Sequence, residues 1–548
     1  MLFKEALLQE LVRRNIKYVY GVPGRENEHI LFNEVDGIEY ITTRVEFTAG
    51  IMADFAGRLT DQPQACFTTM GPGATNVTTA VASAMLNKSP VIFFTSQLES
   101  NDIFYNITHQ CVDQASILAP LTKWSYELRH PQELYNAVDK AFEIALTEPV
   151  GPVHISIPVD FYNQEIISPP GREAIKLTET IRVNAKPASE WEIDTIMEKV
   201  QGSSRPLCLI GQEVIRVGAD KELIEFCRHY NIPFVTAANA KGVAPFDDPL
   251  NYGAVSCYME GILGYPALDD IFVSADLIIC VGYQYVDDLL PKMWTRGNEK
   301  TVISLGSSPQ FMIHSKFNPD LECVCDLKHL FTTLTERNGT KKDPRDLIQM
   351  KQQYEKVLNA PQKDQNYFSP GQVMNIINRY LGSGYLITDI GYYRHHAIMF
   401  STPASTKKFF SDTGLSSFGT GLPSAAAAQL LNPGEKVFLI CGDGGFHSGS
   451  GDLATLTKYG LPVVVVVLNN ASYELINLYQ QRSKTGRNPE IVRLESVDFV
   501  KLAEANGCNG VRVSTLEQLD AAIAGNDYTK PLVIEVPVDY QDDFVISF

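Results

Sequence analysis

A chain of 548 residues is long enough for roughly three to four domains. Its 45% hydrophobic and 20% charged residues are the balance of a soluble globular protein. A formal net charge of −18 argues against nucleic acid or anionic membrane as a partner.

The N-terminal Met1-Leu2-Phe3-Lys4-Glu5-Ala6 opens an amphipathic helix rather than a signal peptide. Residues 1–165 then alternate helices with short apolar strands: 18–21, 65–69, 90–96 and 153–158. That alternation predicts a parallel α/β domain. Residues 166–189, with Ser168-Pro169-Pro170 and Pro187, read as a linker. A second α/β domain follows over 190–340, with strands at 207–211, 234–236, 277–282 and 301–305. A charged connecting segment spans 341–365, and a third α/β domain spans 366–548, with strands at 386–389, 436–441, 463–468 and 532–536. The fold class is thus α/β, with three doubly wound parallel-sheet domains. No apolar run reaches the ~20 residues of a membrane span. The ten cysteines are scattered, and only Cys323 and Cys325 lie close together. Mostly apolar neighbours imply buried free thiols in a reducing, cytoplasmic setting.

The most specific local signal is Gly442-Asp443-Gly444-Gly445, followed by a predicted helix over 450–459, an apolar strand and Asn469-Asn470. This is one βαβ unit, whose loops fall at the carboxyl ends of adjacent parallel strands, where such sheets bind ligands. An Asp carboxylate and an Asn amide oxygen are hard ligands that suit Mg²⁺ or Ca²⁺ with a diphosphate. The glycines admit backbone N–H groups to the phosphates. A plain turn with Asp443 as a helix cap is the alternative reading of the triplet alone. The segment resembles the diphosphate-anchoring motif of thiamine diphosphate (ThDP) enzymes. The resemblance makes Asp443, Asn470 and the backbone carbonyl of Ser472 the ligands of Mg²⁺.

Other stretches fit the same family. Glu46, ahead of a helix predicted over 49–60, corresponds to the glutamate that hydrogen-bonds the cofactor's aminopyrimidine. As an isolated residue it would read as a group satisfying the helix dipole. Gly71-Pro72-Gly73-Ala74-Thr75-Asn76 fails as a dinucleotide fingerprint and resembles a cofactor-side loop of acetolactate synthase-type members. Phe418 matches the apolar wedge that bends ThDP, with a core phenylalanine as the alternative. His109-Gln110-Cys111 stands where acetolactate synthases have Phe-Gln-Glu. Several short stretches resemble the N2-(2-carboxyethyl)arginine synthases of clavulanic acid biosynthesis. Among them are Gly24-Arg25-Glu26, Thr108-His109-Gln110-Cys111, Asn251-Tyr252-Gly253-Ala254-Val255 and Gly444-Gly445-Phe446-His447-Ser448.

That resemblance implies a transferase that joins glyceraldehyde 3-phosphate to the amine of L-arginine through an acryloyl intermediate on ThDP. His109, Gln110 and His395 would move protons. Arg394 would bind the substrate's phosphate or carboxylate, with a surface ion pair as its alternative reading, and Tyr258 and Asp288 would hold the arginine. The family also implies a homodimer or homotetramer with the active site at a subunit interface. An acetolactate synthase-like 2-oxo acid carboligase or decarboxylase is the alternative.

Overall fold

The computed structural model describes residues 1–31, 35–104, 109–172, 185–258, 261–263, 271–284, 299–309, 318–346, 348–349, 352, 368–482 and 486–540. They form two compact units: Met1–Arg182 with Gly414–Leu431 and Gly451–Tyr459, and Val183–Thr413 with Asn432–Ser450 and Gly460–Phe548.

The first unit holds β1 (Tyr18–Gly21), β2 (Glu39–Thr42), β3 (Gln64–Thr68), β4 (Val91–Gln97), β5 (Trp124–Glu127) and β6 (Val153–Pro158). All pair in parallel, in the order β2-β1-β3-β4-β6-β5. β1, β3, β4 and β6 are buried along their whole length, as parallel strands covered on both faces must be. Phe67 and Phe94 stack at 4.5 Å inside this core. The helix Phe3–Arg13 covers part of one face by burying Phe3, Leu7, Leu8 and Leu11. The helix Gly421–Leu431 packs on the helix Glu46–Thr60.

The second unit contains two more parallel sheets. The central one comprises β7 (Pro206–Ile210), β8 (Phe234–Thr236), β9 (Asn251–Ala254), β12 (Leu277–Val281), β13 (Thr301–Gly306) and β14 (Leu321–Val324), ordered β14-β13-β12-β7-β8-β9. An antiparallel hairpin, β10 (Ser256–Tyr258) and β11 (Gly261–Leu263), follows β9. The last sheet comprises β15 (Tyr385–Thr388), β16 (Phe409–Ser411), β17 (Val437–Gly442), β18 (Val464–Asn469), β19 (Asn509–Arg512) and β20 (Leu532–Pro537), ordered β16-β15-β17-β18-β20-β19.

The two-residue period of a strand divides the central core. Leu207, Leu209, Ile278 and Cys280 point into a cluster that also contains Ile377, Leu386, Phe438 and Val466 of the last domain. Cys208, Ile210, Ile279 and Val281 point the other way, onto Leu223, Phe226 and Phe331. One apolar cluster is therefore shared by the central and last sheets.

The structure adds two strands to each predicted set of four, all six at sheet edges, and also the hairpin β10–β11. It also moves two boundaries. The helix predicted over 49–60 begins at Glu46. The single helix predicted over 450–459 is a 3₁₀ turn, Ser450–Asp452, followed by the helix Leu453–Lys458. A separate short helix, Asp443–Gly449, precedes them, so Asp443 opens a helix behind the extended Gly442. Nine cysteines are free among the described residues, and all but the half-buried Cys111 are buried. Among the described residues, no helix is long and apolar enough to cross a membrane.

Candidate active site

In the first unit the site residues gather at the carboxyl ends of β2, β3 and β4. Glu46 is half-buried in the first helical turn after β2. Asn76 Nδ2 donates to Glu46 Oε2 at 3.1 Å. Asn76 ends the short helix Pro72–Asn76 that follows β3, so two strand–helix crossings converge on one carboxylate. Gly71 has φ +57°, and a Cβ there would lie 2.7 Å from the Gln110 carbonyl oxygen. Only a glycine lets the two loops touch in this way. Gln110 itself has φ +56°, an uncommon conformation for a residue with a side chain. His109 and Gln110 are exposed. Phe418 is 46% exposed, which rules out the core-phenylalanine alternative. It lies between Ser416 (φ +57°) and Gly419 (φ +81°).

In the second unit, β17 and β18 are neighbours in parallel register, Gly442 opposite Leu468. Their carboxyl ends bring Asp443 and Asn470 together, as the spacing predicts. Asp443 is buried, and its Oδ1 accepts from Gly444 N at 2.8 Å and its Oδ2 from Ser472 N at 3.3 Å. Burial raises its carboxyl above the usual range, and the backbone N–H groups of Gly444, Ser472, Ala471 and Asn470 oppose that rise. The 469–472 loop wraps the carboxylate through Ala471 at φ +52°. Gly444 sits under the ring of Tyr473, where a Cβ would lie 2.6 Å from Cε1.

Asn470 Nδ2 donates to Glu474 Oε2 at 2.7 Å. The amide nitrogen is thereby engaged, and the amide oxygen is the atom left for a cation. A buried carboxylate, an amide oxygen and a carbonyl from the Ser472 turn make a hard oxygen set. Those groups, with a glycine-lined helix start beside them, would suit a divalent cation and a diphosphate.

Arg394, His395 and His396 are buried on the helix Tyr393–Phe400. Arg394 Nη1 donates to the Asp412 carbonyl at 3.2 Å. Burial therefore excludes a surface ion pair for Arg394. His395 is held well below the usual histidine range by burial, then by the Arg394 and His396 charges, so its imidazole is neutral near pH 7. Tyr258 ends β10, and Asp288 lies outside the described residues.

Sequence reasoning missed Glu474, Asn469 and Asp452. Asn469 Nδ2 donates to Glu535 Oε1 at 2.9 Å, and its Oδ1 accepts from Ala471 N at 3.1 Å, which fixes the loop that presents Asn470. Its side chain next to Asn470 was the available signal. Glu474, four residues after Asn470, reads in sequence as an ordinary acid at a helix start.

Three family models match the chain in order. "Thiamine pyrophosphate enzyme, N-terminal TPP binding domain" covers residues 1–117, the "central domain" covers 193–334, and the "C-terminal TPP binding domain" covers 389–536. Among curated proteins, an acetolactate synthase of Bacillus subtilis (strain 168) is 28% identical over 561 residues, covering 99% of this chain and 94% of that protein. A probable acetolactate synthase large subunit of Methanocaldococcus jannaschii is 29% identical over 556 residues, covering 98% and 91%. An acetolactate synthase large subunit of Lactococcus lactis is 26% identical over 540 residues, covering 97% and 92%. These relatives favour the acetolactate synthase alternative over the carboxyethylarginine synthases. With its three matched domains in sequence and the oxygen set at Asp443, the chain belongs to the thiamine pyrophosphate enzymes, and its cofactor is thiamine diphosphate with a divalent metal.

Proposed function

We propose that this protein is a ThDP-dependent carboligase of 2-oxo acids, working as an acetolactate synthase does. The observation that carries this reading is the end-to-end likeness to acetolactate synthases, 99% of this chain against 94% of the Bacillus subtilis protein. When bound, the cofactor supplies a nucleophilic thiazolium carbon that adds to a carbonyl. Asp443, Asn470 and the Ser472 carbonyl would hold the metal, most simply Mg²⁺, with Gly442, Gly444 and Gly445 leaving room for the diphosphate. Glu46 would hold a proton against the aminopyrimidine, with its carboxylate oriented by Asn76. Phe418 is an exposed aromatic suited to shape the bound cofactor. Arg394, a buried cation, is suited to a substrate carboxylate. His395, kept neutral, can donate an N–H hydrogen bond to the carbonyl oxygen. The active site would be shared between two copies of the chain.

A second reading is carboxyethyl transfer from a triose phosphate to L-arginine. The exposed His109 favours it, because an imidazole beside Gln110 adds a proton carrier where acetolactate synthases have Phe. Arg394 would then bind the phosphate, and Tyr258 and Asp288 the acceptor. One experiment separates the two. The protein is incubated with ThDP and Mg²⁺, first with pyruvate and then with glyceraldehyde 3-phosphate plus a panel of amino acids. The first reading gives CO₂ and acetolactate. Inertness toward pyruvate, with phosphate release and a carboxyethyl amino acid by mass spectrometry, would replace it with the second.

A further inference from the structure

The helix Glu46–Thr60 begins without a cap of its own. Val45 holds the N-cap position with extended backbone, φ −148° and ψ 152°, and has no side-chain acceptor for the first-turn N–H groups. A distant carboxylate fixes this turn instead. Asp452 is 6% exposed. Its Oδ2 accepts from Thr48 Oγ1, its Oδ1 from Thr455 Oγ1 at 3.2 Å, and the Arg44 backbone N–H also donates to it. Arg44 and Thr48 flank Glu46 at two residues on either side. A second tie lies at the end of the same segment. Tyr459 Oη accepts from Thr42 N at 2.6 Å and donates to the Tyr40 carbonyl at 3.4 Å. The chain from β2 into the Glu46 helix is thus held at both ends by residues 451–459.

Capping its own helix does not account for Asp452. It stands at the N-cap of the helix Leu453–Lys458 but accepts no capping hydrogen bond from that helix's backbone. Asp113, Asp326 and Asp498 show the ordinary arrangement. Each accepts from the backbone N–H three residues on, and none is buried. Asp452 is the buried member of the set, and a buried carboxylate persists only where its hydrogen bonds are made.

We propose that Asp452 is a positioning residue for Glu46, acting through Thr48 Oγ1 and the Arg44 N–H to hold the first turn on which the Glu46 carboxylate stands. This rests on the reading of Glu46 as the group that works on the aminopyrimidine. A misplacement near 1 Å at such a carboxylate is worth roughly 100-fold in rate. Asp443 and Asn470, assigned to the metal, make their hydrogen bonds with Gly444, Ser472 and Glu474. Loss of Asp452 therefore separates activation of the cofactor from its binding.

The test uses the full-length protein and the variants Asp452→Ala, Thr48→Val, Thr48→Ser and Glu46→Gln. Two quantities are read: ThDP affinity in Mg²⁺ by calorimetry, and C2 proton exchange of bound ThDP. Asp452→Ala and Thr48→Val should slow exchange about 10- to 100-fold, with affinity changed by less than about threefold. Thr48→Ser keeps the hydroxyl and should exchange at the unmodified rate. If Asp452→Ala does not fold, the Thr48→Val and Thr48→Ser pair decides. Unmodified exchange in Thr48→Val and Asp452→Ala, with exchange lost in Glu46→Gln, overturns the role of Asp452 and leaves that of Glu46. Equal loss of affinity and exchange also overturns it, because Asp452 would then serve the fold at large. Unmodified exchange in Glu46→Gln overturns the reading of Glu46 and this proposal together.

Discussion

Asn470 donates its side-chain amide to Glu474 at 2.7 Å, and that bond decides which end of the amide is left for a metal. Glu474 also accepts from Asn477 Nδ2, at 3.3 Å to each oxygen, so it is held from two sides. Partners of this kind orient a ligand without touching the ion, and losing one typically costs about 10- to 100-fold in metal affinity. Glu474→Ala should therefore weaken Mg²⁺-dependent ThDP binding by about tenfold. Glu474→Gln, which keeps an acceptor for Asn470, should lose less. Calorimetric titrations of the two variants check this, and unchanged affinity in Glu474→Ala would remove Glu474 from the site.

Glu46→Gln should still bind ThDP but lose most turnover. An amide cannot hold a proton as a carboxyl group can, although it keeps the shape and the contact with Asn76. Cofactor affinity and steady-state rate, measured on the same preparation, provide the check. Loss of both in parallel would mean that Glu46 serves binding rather than activation.

His154 gives a pH dependence whose sign is fixed by its surroundings. It is fully buried on β6, with Nε2 2.9 Å from Thr95 Oγ1 and Nδ1 2.8 Å from Ser125 Oγ. Burial lowers it to about 3. In the unfolded chain it titrates near ~6.5. As pH falls below that value the unfolded state takes up a proton that the folded state refuses. Stability is therefore present above the unfolded value and is lost as pH falls toward the folded one, by about 1.4 kcal/mol per pH unit from this residue. His154→Gln should lower the urea midpoint at pH 7 and flatten its decline between pH 6.5 and pH 4. An unaltered decline would assign the acid sensitivity to other groups.

The interior strands were legible because parallel strands buried on both faces are continuous apolar runs, as in Val464-Val465-Val466-Val467-Leu468. The edge strands were not. Glu39–Thr42, Trp124–Glu127, Leu321–Val324 and Asn509–Arg512 are four residues each and only partly buried, so neither length nor hydropathy marks them. Asp443 and Asn470 could be found because their geometry depends on two adjacent strand ends in one βαβ unit. Asp452 could not, because its partner Thr48 lies 404 positions away and only the folded chain joins them. Arg394 and Phe418 had two readings each in the sequence; burial of the first removes the surface ion pair, and exposure of the second removes the core position. The resemblance to carboxyethylarginine synthases rested on short scattered stretches, whereas the likeness to acetolactate synthases runs the length of the chain.

The proposed sharing of the site between two copies is open to a complementation test. Glu46→Ala and Asp443→Ala should each be inactive alone. Mixed under subunit exchange, they should regain activity, because some dimers then contain one site with both residues intact. No recovery, with exchange verified by differently tagged subunits, would mean that one chain supplies both residues.

Asp443 is proposed to hold the metal that anchors the cofactor. Titration of ThDP into the protein in Mg²⁺, followed by calorimetry, tests it most directly. The unmodified protein should bind saturably, and binding should vanish when the metal is chelated. Asp443→Ala should show no binding under the same conditions while keeping the thermal stability of the cofactor-free protein. ThDP binding by Asp443→Ala with the affinity of the unmodified protein would contradict the account.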